Sequence, residues 1–239
     1  LFLRDSPQQA LETLADRLDV IERGGMPDSI ILAYRTLAEV ALRRGEEARS
    51  LEILVALREL SIVRALPRLQ LGSLAEQVRL HATCGRVQSA TELLTEIAAM
   101  RPVFAQPIYR ALAPHFERRL ALATAYACVG RSDFDGAELA LATAALSTPS
   151  MRRSPDTLVA RALQALVASE RGRPEARDML AEVLSLADLA GIRRYVEESH
   201  PRLRELSASV IAGGAPADAS DAGPVQRAQS VGISAGASQ

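Results

Sequence analysis

The sequence predicts an all-α chain of stacked helical hairpins, and three observations carry that prediction. Gly45, Gly85, Gly130 and Gly172 recur at spacings of 40, 45 and 42 residues, each between two Ala/Leu-rich stretches of helical period. A period of this size belongs to repeat architectures, in which each unit buries its apolar face only against its neighbours. Apolar residues make up 48% of the chain, but aromatics only 3% and Trp is absent. The core must therefore come from Ala, Leu and Val, which suits helices whose backbones approach closely. Runs of β-branched residues bounded by turn residues are lacking, so almost no sheet is expected.

Each element follows from local chemistry. Residues 7–23 open with Ser6 as a cap and Pro7 in the first turn, and apolar positions 11, 14, 18 and 21 keep to one helical face. Gly24-Gly25 stops that helix, and Pro27-Asp28 starts one running to about Arg44. After Gly45, a partner at 46–64 presents Leu51, Leu54, Val55 and Leu57 back towards it, and Ala65-Leu66-Pro67 resets the chain. Helix 67–84 pairs with 86–100 across Gly85, and Pro102 punctuates. Helix 107–129 pairs with 133–147 across Gly130, with Ser132 and Asp133 as caps and Thr148-Pro149 as the stop. Helix 155–171 pairs with 173–190 across Gly172, and Pro174 falls early in the second. The last helix, 192–211, contains Pro201 and is expected to break near Ser199.

Within a hairpin, Tyr34, Leu37, Ala38, Ala41, Gly45, Ser50, Leu54 and Leu57 place large and small residues as a tetratricopeptide-like unit requires. A bulky anchor meets a small partner, and glycine closes the turn in a left-handed conformation. Tyr126 before Gly130 and Ala90 after Gly85 repeat parts of this pattern. The expected fold is a tetratricopeptide-like α-superhelix over residues 1–212. From Gly213 the chain turns to Gly, Ala, Ser, Asp and Pro, so 213–239 reads as a disordered linker or tail.

Composition narrows the function classes. Net charge is -1 and the pI near 6.4, whereas a domain that grips DNA alone carries a basic face and a pI above about 9. All 28 basic residues are Arg. Without Lys, neither a P-loop nor a lysine Schiff base can be built. Cys84 and Cys128 sit at corresponding places before repeat glycines and read as small buried thiols in a reducing cytoplasm. His81 and Cys84 stand one turn apart, with His115 and Cys128 further on, but structural zinc requires four ligands in tight pairs, so no metal is expected. Glu197, Glu198 and His200 read as a solvated helix end rather than an acid/base group. With no nucleophile motif or phosphate loop, the chain is expected not to be an enzyme. No run of about 20 apolar residues occurs to span a membrane. A start at Leu1 leads us to expect a piece of a longer cytoplasmic protein.

First helices of stacked hairpins line the concave surface, the usual ligand site of solenoids. On them Arg35 and Glu39 share a face at i, i+4, and Glu76 and Arg79 at i, i+3. These four are the candidate contacts of a ligand or partner groove, although each pair alone reads as an exposed intrahelical ion pair worth a few tenths of a kcal/mol. Of the Arg pairs, Arg43-Arg44 suits a solvated helix end, while Arg118-Arg119 falls inside a helix and Arg152-Arg153 and Arg193-Arg194 lie later.

Three stretches, taken in order, resemble a known family. AYRTLAEVALRRGEEARSLEILVAL, ALPRLQLGSLAEQVRLHATCGRVQSATELLTEI and AGIRRYVEESHPRLREL look like the helical-repeat sensor region of large ATP-dependent LuxR-type transcriptional regulators of the MalT-like group. The likeness covers about residues 27–211, and GIRRYVEESHPRL is among its most specific parts. It implies a small-molecule inducer or a regulatory protein held in the concave groove. It also implies ATP in a P-loop module before these repeats and DNA bound by a helix-turn-helix module after them, neither of which is in this sequence. No cofactor is implied for this chain, and no pocket residue carries over by name. The alternative is a stand-alone tetratricopeptide-like protein-protein interaction scaffold.

Overall fold

The computed structural model describes residues 11–14, 16–145 and 154–213. Every regular element among the described residues is helical. In chain order they are α1 (Leu18–Gly24), α2 (Pro27–Arg43), α3 (Glu47–Val63), α4 (Pro67–Thr83), α5 (Val87–Ala99) and α6 (Arg101–Ala105). A 3-10 helix (Pro107–Leu112) then leads into α7 (Ala113–Gly130), α8 (Phe134–Ala145), α9 (Pro155–Glu170), α10 (Ala176–Leu189), α11 (Arg193–Glu197) and α12 (Pro201–Gly213). Proline occupies the first turn of α2, α4, α6, α7 and α9. There its missing N–H costs nothing and its fixed φ already suits the helix.

Among the described residues the same turn occurs six times, and it is sharper than glycine spacing alone conveys. After α2, the Glu46 amide donates to Ala41 O at 3.0 Å and the Gly45 amide to Leu42 O at 3.0 Å, the paired bonds of a Schellman cap. Equivalent pairs follow α3, α4, α7, α9 and α10. The left-handed residue is Gly45, Gly85, Gly172 or Gly191 in four of them, but Ala65 (φ 51°) and Ser132 (φ 59°) in the others. Gly130 is therefore not the turn residue expected of it. It is the last residue of α7, two positions early, and Ser132 takes the left-handed place. Its smallness serves packing: a Cβ there would sit 3.1 Å from Ala82 O of α4. The true turn series, Gly45, Gly85, Ser132 and Gly172, is spaced 40, 47 and 40.

Other expectations shift by a turn. The expected helix 107–129 divides between Leu112 and Ala113 into the 3-10 piece and α7, and the partner expected from 173 begins at Ala176. Pro102 opens α6 rather than ending the run, and stacking of Phe104 on Phe116 at 4.7 Å ties this detour to α7. The break near Ser199 is present, with α11 and α12 on either side of it. Asp133 caps α8 by accepting from the Gly136 amide at 2.9 Å. Ser6, Thr148, Pro149, Arg152 and Arg153 lie outside the described residues, as do 214–239.

Packing follows the hairpin order. Helix α2 packs on α3 and α4, α4 on α5 and α7, α7 on α8, and α9 on α8 and α10. One apolar cluster runs from Leu71 and Val78 of α4 through Tyr126 and Val129 of α7 to Leu163 of α9 and Leu184 of α10. A smaller one joins Ile30, Tyr34, Leu57 and Leu69 at the first hairpin. Each fully buried leucine adds roughly 1.5–3 kcal/mol through area withdrawn from water. The chain then doubles back: α11 and α12 pack on α9 and α10, and the same segment reaches α2, as described next.

Candidate functional site

The first helices α2, α4, α7 and α9 bring their charged residues to one place. Glu76, on α4, is the hub. Its carboxylate lies 2.9 Å from Arg79 Nε, 3.3 Å from Arg35 Nε and 3.9 Å from Arg119. Arg79 also binds Glu39 at 2.8 Å, and Arg119 binds Asp156 at 3.2 Å. Three guanidiniums thus meet three carboxylates, so the cluster balances its own charge. That balance is needed, because the side chain of Glu76 is only 5% exposed and that of Arg79 only 8%. An isolated buried ion costs several kcal/mol, which only good pairing offsets.

All four sequence-named residues, Arg35, Glu39, Glu76 and Arg79, fall in this cluster, but their pairing differs from the exposed intrahelical pairs expected. Glu76 and Arg79 do pair within α4, whereas Arg35 reaches across to Glu76 and Glu39 across to Arg79. Burial is the reason: the two helices pack face to face, so the partner helix offers a nearer counter-charge than water does. Burial by itself would raise the Glu76 carboxyl, but Arg35, Arg79 and Arg119 overcome it and hold it at about 2. Burial opposes the charge on Arg79 too, and Glu39 and Glu76 outweigh it, so its pKa rises.

The doubled-back segment covers this cluster. The Arg35 guanidinium lies 4.5 Å above the Tyr195 ring of α11, and Arg43 pairs with Glu198. The Tyr126 hydroxyl donates to Ser199 O at 3.2 Å, and its ring stacks on His200 with centroids 6.4 Å apart. Arg202 bonds Glu170 of α9 at 2.9 Å. Arg43 is therefore more than a solvated helix end, and His200, 4% exposed, is buried rather than solvated. Burial first, then Arg202 and Arg79, push the His200 imidazole down to about 4. We call residues 191–204 the strap. Local sequence does not reveal its role, because Tyr195 and Glu198 lie more than 150 residues from Arg35 and Arg43, the α2 side chains they meet.

Two cavities flank the strap. One of 340 Å³ lies against Arg35, Arg68, His115, Arg119 and Tyr195. The other, of 630 Å³, lies against Glu39, Arg79, Cys84, His200 and Arg204. Cys84 is exposed, contrary to the buried thiol expected, because it caps the C-terminus of α4; Cys128 is buried. Burial and then Glu47 raise the Cys84 thiol. His81 does not face Cys84 as a ligand: its Nδ1 accepts from Arg86 Nε at 2.8 Å. Among the described residues no three His, Cys, Asp or Glu side chains gather as a metal site, and no helix is long and apolar enough to cross a membrane. Comparison with protein families, curated proteins and solved structures found no match to this chain.

Proposed function

We propose that this chain is the effector-sensing domain of a bacterial LuxR-type, MalT-like transcriptional regulator. On this reading it is a cytoplasmic, non-catalytic tetratricopeptide-like superhelix whose concave groove takes a small-molecule inducer or a regulatory protein. The parent regulator binds ATP and DNA through further modules. One observation carries the reading: the strap ties the last helices to the first hairpin, through Tyr195 on Arg35 and Glu198 on Arg43, with a cavity on each side. A ligand entering either cavity touches hairpin and strap together. It then favours one arrangement of the two over another, and that difference in affinity is what a switch requires. The resemblance of GIRRYVEESHPRL to the regulator family supports the reading, since those residues form the strap.

The test is sequencing of the gene on both sides of this segment, followed by inducer calorimetry on the intact protein. A P-loop before and a helix-turn-helix after, with inducer affinity lost in Tyr195→Ala, are the expected results. A stop codon directly after Gln239 favours the interaction scaffold. Inducer binding located wholly in another module sinks the sensing role.

A further inference from the structure

The 340 Å³ cavity lies at the small end of small-molecule pockets, which span roughly 300–1,000 Å³. Arg35, Arg68, Arg119 and His115 come from three successive first helices, and Glu76, buried outside the cavity lining, pairs with Arg35 at 3.3 Å and lies 3.9 Å from Arg119. The carboxylates in the lining itself, Asp28 and Asp156, have side chains 63% and 39% exposed against 29% and 16% for Arg68 and Arg119, so they are hydrated and screened more than the guanidiniums they pair with. Arg68 binds Asp28 through Nη2 at 2.8 Å and Arg119 binds Asp156 through Nη2 at 3.2 Å, and in both residues Nε is buried with no acceptor. Both guanidiniums therefore hold hydrogen-bonding capacity that a turn towards the cavity would release. Burial first, then Arg119 and Arg68 against the opposing pull of Asp156, hold the His115 imidazole down to about 4.

We propose that this cavity binds a small oxyanion, a carboxylate or a phosphate, gripped by Arg68 and Arg119 and laid against Tyr195. Guanidinium forks match the paired oxygens of either group, which suits both sources. The placement explains how such a ligand would act on the strap, since Tyr195 supplies one wall. The inference rests on the sensing role proposed above and names its ligand class.

Calorimetry on the full chain, titrated separately with succinate, inorganic phosphate and maltose, tests it. Succinate or phosphate is expected to bind, with affinity falling roughly tenfold in Arg68→Gln while circular dichroism is unchanged. Succinate alone identifies a carboxylate ligand, phosphate alone a phosphorylated one. Because a bound anion stabilises the imidazolium, the His115 ring proton should titrate about one unit higher in the saturated chain. Arg119→Gln is expected to act likewise, and should it fail to fold, Arg68→Gln and the His115 titration decide. Failure of both anions to bind, equal affinity in Arg68→Gln, or an unmoved His115 overturns the proposal. Maltose binding that is lost in Tyr195→Ala overturns the oxyanion class but leaves the sensing role standing.

Discussion

Helices α4 and α9 hold the same place in their hairpins and are both buried on nearly every side, yet they fill that volume with opposite chemistry. In α9 the buried residues are Leu158, Val159, Ala160, Ala162, Leu163, Ala165, Leu166, Val167 and Ala168, with Thr157 at the capped end. In α4 they include Ser73, Glu76, Gln77, Arg79 and His81. Each of these finds a partner: Ser73 donates to Leu54 O at 2.6 Å, and Gln77 donates to Ser73 at 2.9 Å. Position in the stack thus sets how much a first helix is buried, but not what it buries. A buried ion cluster is a weak source of net stability compared with apolar packing of the same volume. The contrast marks α9 as scaffold and α4 as the place where the molecule gives up packing for a charge arrangement.

The largest effect should come from breaking the hub. Glu76→Gln leaves three guanidiniums around a neutral amide and is expected to cost about 3–5 kcal/mol in urea unfolding. Leu163→Ala in α9 should cost about 2–4 kcal/mol through a cavity instead, with no dependence on salt. A cost below about 1 kcal/mol for Glu76→Gln would mean the cluster is solvated, and the contrast would collapse.

Titration probes the charged side of the molecule next. His115 and His200 have folded values of about 4 against an ordinary 6.5, so between those limits the unfolded chain takes up protons that the folded chain refuses. Stability should therefore fall as pH drops from 6.5 to 4, by on the order of 3 kcal/mol for each imidazole. Glu76, lowered to about 2 from 4.5, adds a further loss as pH falls through that lower range. Urea melts across this range check the total. His115→Gln should remove part of the first loss and leave the second.

The smallest effects should not distinguish the regions at all. Gly85 and Gly172 close the α4 and α9 hairpins at φ +75° and +69°, with open space around each. Replacing either by Ala should cost about 1–2 kcal/mol, because the strain is local and indifferent to what the helices bury. Unequal costs would show the turns coupled to their cores. The reverse change, Ser132→Gly, should raise thermal stability by about 0.5–1 kcal/mol, since Ser already adopts the left-handed conformation there.

Helix periodicity, prolines and turn residues made the hairpins legible, because those preferences act within a few residues. The Schellman series was nearly legible too, and it misled only where Ser132 does glycine's work. Arg35, Glu39, Glu76 and Arg79 could be named from the face they share, but not their crossed pairing, which depends on how α2 and α4 meet. The strap was illegible for a simpler reason. Nothing local in Arg193-Arg194-Tyr195 records that the chain has folded back onto α2, and paired Arg residues read as solvent-facing wherever they occur.

Cys84 carries a practical consequence. It is the exposed one of the two thiols and borders the 630 Å³ cavity beside the strap. Its raised thiol holds back the reactive thiolate at neutral pH, so maleimide coupling there calls for alkaline conditions. These 239 residues contain no Lys and so offer no side-chain amine to compete for a dye. A dye at Cys84 would report strap movement as an optical signal without a single engineered residue.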